Sequence, residues 1–178
     1  MFPGVITAPE IPAIEEGLPS LNAEMAKAGI TTPRRIAAFL TTLRFESRFR
    51  YNIHQFGSTR LYHGRGYIQL TGRATDPDEL GNVMNYTEAG RFLGIDLVGN
   101  PDLAASLEWS APIARWYWTV ARPSCNAYAD VLRMGKVNAA IGYPRSPDGS
   151  NDQARCLAFQ YALRYLTGGQ VEPVDCTR

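Results

Sequence analysis

The sequence predicts a mainly helical domain carrying one small β element. Three observations lead there. Apolar residues recur at three- and four-residue spacing through most of the chain. Helix start and stop signals bracket those stretches. A single glycine-rich, β-prone run, "RLYHGRGYIQLTG", interrupts them.

In chain order, residues 1–19 hold Pro3, Pro9, Pro12 and Pro19 and read as an extended arm or linker. A short helix is expected over 21–28, stopped by Gly29. Thr32 and Pro33 start the next helix: a capping hydroxyl, then a proline where no amide donor is missed. It should run to about Ser47. Gly64, Gly66 and Gly72 punctuate the β-prone run, which reads as a hairpin or tight loop. "NYTEAGRFLG" is a helix ending at Gly94, and "NPDLAASLEWSAPIARWYWTV" holds one or two helices joined or kinked at Pro112. "NAYADVLRMGKVNAAIG" is helical with a break near Gly135. A last helix, "NDQARCLAFQYALRYL", places Leu157, Tyr161 and Tyr165 on one face. Residues 169–178 read as a tail, so the domain itself is expected over 20–168.

Composition narrows the function classes. With 178 residues the chain suits one domain. A net charge of +1 gives no broad basic surface, so no nucleic-acid ligand is expected. No apolar run has membrane-spanning length, and the start lacks a basic segment followed by a long apolar one, so neither membrane insertion nor a signal peptide is expected. Three cysteines without a CxxC argue against a complete disulfide framework. With only His54 and His63 beside them, no metal site and no cofactor are expected.

One residue breaks the pattern. Ile36, Phe39, Leu40 and Leu43 form an apolar stripe whose next position is Glu46. Partial burial and the negative end of a helix dipole both disfavour an ionised carboxylate there. Each unit of pKa rise is worth about 1.4 kcal/mol, and one or two units leave a useful protonated fraction near neutral pH. Such a group is fit to protonate a leaving oxygen as a general acid. The competing reading is a glutamate turned to solvent or paired with Arg44, Arg48 or Arg50.

The downstream segments favour the first reading. "RFES", "YHGRGYIQLTG", "NYTEAG" and "VNAAIG", in that order, resemble the pattern of glycoside hydrolase family 19, which contains chitinases and many phage endolysins. "LGIDLVGNPDLAAS" and "ARWYW" resemble the endolysin branch, including lysins of phages that infect mycobacteria. The resemblance implies a lysozyme-like α+β domain with the hairpin beside a cleft, and inverting hydrolysis of a β-1,4 bond next to an N-acetylated sugar. By position it implies Glu46 as general acid and Thr71 as a hydroxyl holding the attacking water. It implies Tyr62, Gln69 and Asn85 as sugar-subsite residues, with Asn138 and Arg155 further along. Amide side chains suit a glycan because they both donate and accept. Each has a structural alternative: Tyr62 in the core, Gln69 in a turn, Asn85 opening a helix with Glu88.

The match fails at one place. Related endolysins carry a second glutamate about nine residues after the first, and Gln55 stands near that position. An inverting enzyme needs a base there. The acidic stretch "TDPDELGNVM" supplies the expected replacement, Glu79 first; His54 is a second candidate. The function expected is an endolysin-type lysozyme, an N-acetylmuramidase cutting peptidoglycan. It would be made in the host cytoplasm, released through a separate pore, and monomeric or one module of a larger lysin. The alternatives are a chitinase of the same family, a lytic transglycosylase and a non-catalytic peptidoglycan-binding module.

Overall fold

A computed structural model describes residues 6–72 and 85–178. Seven α-helices are present among them: α1 (Ile11–Lys27), α2 (Pro33–Glu46), α3 (Asn85–Leu93), α4 (Ser110–Trp116), α5 (Cys125–Asp130), α6 (Met134–Ala140) and α7 (Ser150–Leu166). A 3-10 turn at Pro101–Ala105 precedes α4, and a π-helical turn at Tyr117–Ala121 follows it.

Helix α2 is central. Thr32 caps it, its hydroxyl accepting from the Arg35 amide at 3.3 Å, and Pro33 opens its first turn. Its buried face is Ala37, Ala38, Phe39, Thr41, Thr42 and Leu43. The small residues on it let α7 lie close, where Ala158, Phe159, Ala162 and Leu163 are buried. The helix ends at Glu46, and Arg48 and Phe49 then take left-handed backbone angles, φ 52° and 65°. That conformation costs each about 1–2 kcal/mol. Anchors offset it: Phe49 is buried, and Arg48 donates to both carboxylate oxygens of Glu10 at 2.6 and 2.8 Å. The Arg48 guanidinium holds the Glu10 carboxyl down at about 2.

Three expectations are corrected. The proline-rich arm is largely helix. Pro9 lies in a 3-10 turn and Pro12 in the first turn of α1, where a missing N–H is harmless. Pro19 is accommodated inside α1 because that helix is held by packing: Leu21 and Met25 are buried, and Glu24 binds Arg115 of α4 at 2.5 Å. The tail is not loose either. Cys176 forms a disulfide with Cys156 of α7, Asp175 exchanges backbone hydrogen bonds with Leu132 and Gly135, and Glu172 pairs with Arg34. Cys125 stays a free buried thiol, pushed up to about 12 by burial.

The expected break near Gly135 is present: it falls at 131–133, with Leu132 at φ 59°, and Gly135 itself lies inside α6. There a side chain would press on the backbone of Cys176 and Thr177, 2.3–2.4 Å from a Cβ. Finally, no β-hairpin forms among the described residues. Only isolated antiparallel bridges join His54 to Arg65 and Arg65 to Leu70, because Gly66 (φ 70°) and Gln69 (φ 51°) bend the run out of extension. Leu157, Tyr161 and Tyr165 do share a face of α7, and it is the solvent face.

The bent run is rigid nonetheless. Arg65 is buried and donates to Asp102 (2.9 Å), the Leu61 carbonyl (2.9 Å) and the Tyr86 hydroxyl (3.1 Å). Tyr67 donates its amide to the buried Ser110 hydroxyl at 2.9 Å. At Gly66 a Cβ would sit 2.1 Å from the Ala104 carbonyl oxygen. Gly66→Ala therefore meets both an unfavourable left-handed φ and a backbone clash, and is expected to lower unfolding free energy by at least about 2 kcal/mol in urea denaturation. A change under about 0.5 kcal/mol would show that this loop does not depend on the close approach.

Candidate active site

A cleft of about 480 Å³ opens between the end of α2, the loop 55–71, the start of α3 and the segment 141–144. Its size suits a small-molecule or sugar segment. Glu46 lies on its wall, the side chain 21% accessible. Burial pushes the Glu46 carboxyl above its ordinary value of 4.5; the neighbouring Arg155 charge and hydrogen bond pull the other way without cancelling it. The contact is one bond, Arg155 Nη2 to Glu46 Oε1, 2.5 Å. The arginines closer in sequence are placed elsewhere: Arg48 and Arg50, beyond the helix end, face Glu10, and Arg44 lies over the Phe45 ring.

Arg155 comes from α7 and is fully buried. Its guanidinium carbon lies 3.3 Å from the centroid of the Tyr143 ring and 5.1 Å from that of Phe45. Nε and Nη1 find no hydrogen-bond partner among the described residues, so the charge is directed at Glu46 and the two ring faces. The arrangement holds one carboxyl in a fixed place at a cleft, with burial favouring its neutral form. That is what proton donation to a leaving oxygen requires.

Of the expected site residues, Glu46, Gln55, Gln69, Thr71 and Asn85 do come together around the cleft. Gln55 is clamped to Gly64: its amide N donates to the Gly64 carbonyl at 2.7 Å, and its side-chain oxygen accepts from the Gly64 N–H at 3.0 Å. The Thr71 hydroxyl donates to the Gln69 carbonyl at 2.8 Å, which leaves its lone pairs to accept. Asn85 donates to the Thr71 carbonyl at 2.8 Å, and Gln69 to the Gly66 carbonyl at 3.1 Å. The amides thus also brace the wall they line. Glu88 accepts from Arg91 at 2.7 Å.

Four residues stand elsewhere. Tyr62 is core: buried, its hydroxyl on the Val98 carbonyl and its ring against Tyr86. Asn138 is fully buried and donates to Asp152 at 2.9 Å, away from the cleft lining. Arg155 is wholly buried and reaches the cleft through Glu46. His54 is exposed, faces His63 at 3.1 Å and does not line the cleft. Glu79 lies outside the described residues. Tyr117, read from its spacing as core with an edge toward sugar, is buried and lines the cleft; the sequence reading missed Tyr143, which lines it too. Tyr143 directly follows the "VNAAIG" element, one residue beyond the stretch that drew notice. Among the described residues no group of three His, Cys, Asp or Glu is placed to hold a metal, and no helix is long and apolar enough to cross a membrane.

Comparison with known proteins matches the chain to a family model. The model of glycoside hydrolase family 19, chitinase class I, matches residues 50–140, just over half of the chain. Chitinase 8 of Oryza sativa subsp. japonica is 45% identical over 69 residues, covering 36% of this chain and 23% of that protein. An endochitinase of Avena sativa is 31% identical over 107 residues, 56% of this chain and 48% of the relative. The chain thus spans about a quarter to a half of the length of these relatives. The crystal structure of chitinase C from Streptomyces griseus HUT6037 has the same fold, with a TM-score of 0.67 at 19% identity, covering 100% of this chain and 82% of that one.

Proposed function

Because the chain belongs to glycoside hydrolase family 19, we propose that it hydrolyses β-1,4 bonds in the glycan strand of bacterial peptidoglycan, between N-acetylmuramic acid and N-acetylglucosamine, as the catalytic domain of a phage-type endolysin. The observation that carries the glycosidase reading is Glu46, a half-buried carboxyl and the one acid among the described residues of the cleft wall, whose proton is favoured by burial. Arg60, exposed on the same wall, supplies the charge that attracts an anionic lactyl group or peptide stem. The Cys156–Cys176 disulfide suits action outside a reducing cytoplasm, at the wall, after release through a separate pore. The names of the relatives favour a second substrate, chitin, which has the same backbone without the lactyl group.

The test is digestion of purified sacculi and of colloidal chitin, followed by reducing-end assay and mass spectrometry. Hydrolysis of sacculi yields fragments one water heavier than anhydro products. Reducing ends from chitin alone would replace the peptidoglycan reading, anhydro ends would make the protein a lytic transglycosylase, and pull-down of walls without new ends would make it a binding module.

For the base we keep Glu79. The segment 73–84 joins Thr71 and Gly72 to Asn85, and Thr71 and Asn85 line the cleft. Glu79→Gln is expected to lower turnover about a hundredfold with glycan affinity unchanged; wild-type turnover would remove the assignment. Gln55→Glu keeps an acceptor for the Gly64 N–H while placing a carboxylate where the family pattern has one. It is expected to restore part of the rate lost in Glu79→Gln.

A further inference from the structure

The support behind the general acid extends beyond Arg155. Tyr143, whose ring stacks on Arg155, offers its backbone carbonyl to Arg178 Nη2 at 2.7 Å. The same guanidinium forks onto Asp152, Nε to Oδ2 at 2.7 Å and Nη2 to Oδ1 at 3.0 Å. Asp152 is buried in the first turn of α7, three residues before Arg155, and its Oδ1 also accepts from Asn138 of α6. One side chain therefore ties the cleft wall at 143, the helix that carries Arg155 and the helix beside it. Charge-assisted, two-pronged bonds of this kind are the strong ones.

Arg178 reaches that position only because the segment before it is pinned. Asp175 donates to the Leu132 carbonyl (2.9 Å) and accepts from Gly135 (3.1 Å), over a glycine that leaves room for it. Cys176 is bonded to Cys156, the residue next to Arg155. Without that cross-link the ordering entropy of the segment would fall on its hydrogen bonds alone.

We propose that Arg178 is a positioning residue for the general acid, latching the Tyr143–Arg155 stack through the Tyr143 carbonyl and Asp152, with the Cys156–Cys176 disulfide as the clasp that keeps it in place. Opening the clasp takes two electrons and two protons. A small dithiol supplies them, ending as its own disulfide and leaving Cys156 and Cys176 as thiols. Cys156 is buried but Cys176 is only half-buried, so a thiolate can attack at its sulfur. The released segment lets Tyr143 and Arg155 drift, and Glu46 loses its aligned partner. The latch is thus open under reducing conditions and closed under oxidising ones.

The kinetic arm of the test rests on the glycosidase reading; the titration arm does not. The Glu46 carboxyl is followed by NMR in 13C-glutamate-labelled wild type, Arg178→Ala, Arg178→Lys, Cys176→Ser and the dithiol-treated wild type. The ionisable groups acting with Glu46 among the described residues are Arg155 of α7 and Tyr117 of the π turn. Since Arg155 pulls the Glu46 proton affinity down, opening the latch is expected to move its titration upward by roughly half a pH unit or more. The kcat should fall about three- to tenfold with KM unchanged. Lysine, which lacks the fork, should restore only part of both. Glu172→Gln, which frees the tail from Arg34 without touching Asp152, should alter neither. Glu46 titrating as in wild type in folded Arg178→Ala, Cys176→Ser and reduced protein overturns the latch. Should wild type lack glycan turnover, the functional reading falls while the titration still decides the latch. If Arg178→Ala does not fold, Arg178→Lys and the reduced wild type decide it.

Discussion

Glu46→Gln is expected to lower reducing-end release from sacculi by roughly 10³–10⁴-fold while the protein still sediments with them as wild type does. The substitution keeps shape and keeps an oxygen for the Arg155 Nη2 bond, so neither α2 nor the cleft wall has cause to move. What it removes is the one transferable proton. A sugar alkoxide is a poor leaving group in neutral water, and no other described carboxyl lines the cleft to protonate it. Glu46→Asp keeps the proton but withdraws it by one methylene, and should recover part of the rate. Because the protonated form of Glu46 is the active one, kcat of the wild type should fall as pH rises through its folded value, which burial sets above 4.5, while any loss at lower pH belongs to the base, which must be ionised. A glutamine variant within tenfold of wild type, or a profile that falls at a free glutamate's pKa, would remove Glu46 from the mechanism.

The placement of Glu46 was legible in the sequence because one physical rule governs it. A helix begun by Thr32 and Pro33 keeps its 3.6-residue phase for fourteen residues, and that phase carries position 46 onto the stripe. The signal in "YHGRGYIQLTG" was equally local, since Gly66 fills a space that no side chain fits. The misreadings share a cause as well. Pro9, Pro12 and Pro19 break helices by intrinsic preference, but the burial of Leu21 and Met25 and the Glu24–Arg115 pair outweigh a preference worth about 3 kcal/mol at its largest. The tail looked like a linker because its partners, Leu132, Gly135 and Cys156, lie 20 to 43 residues away in sequence. Tyr62 and Asn138 carry the residue types a sugar site uses, and only their burial and their bonds to Val98 and Asp152 show that they serve the interior. Arg155 was legible as a basic residue of the pattern, but its role as the partner of Glu46 depends on α7 crossing α2.

That crossing makes Arg155 the second large lever. Arg155→Ala is expected to destabilise the fold by about 3 kcal/mol at pH 8, the lower end for breaking a buried pair because Glu46 keeps some contact with solvent. Part of the loss is charge and part is packing, since the guanidinium fills the space between Phe45 and Tyr143. The two parts separate with pH. In the variant nothing lowers the Glu46 pKa, and desolvation carries it further above 4.5 than in wild type. A carboxyl raised in the folded state contributes stability that is fully present below its unfolded value near 4.5 and is lost as pH rises through the folded value. The gap between wild type and variant should therefore be smallest near pH 4.5 and widen toward pH 8, when both are unfolded in urea across that range. Arg155→Lys keeps the charge but not the planar stack, and should narrow the gap at pH 8 more than at pH 4.5. The falling limb of kcat should move to higher pH in Arg155→Ala, on top of a lower plateau from a misplaced acid. A stability gap independent of pH, together with an unmoved limb, would mean that Arg155 fills space behind Glu46 without acting on its proton.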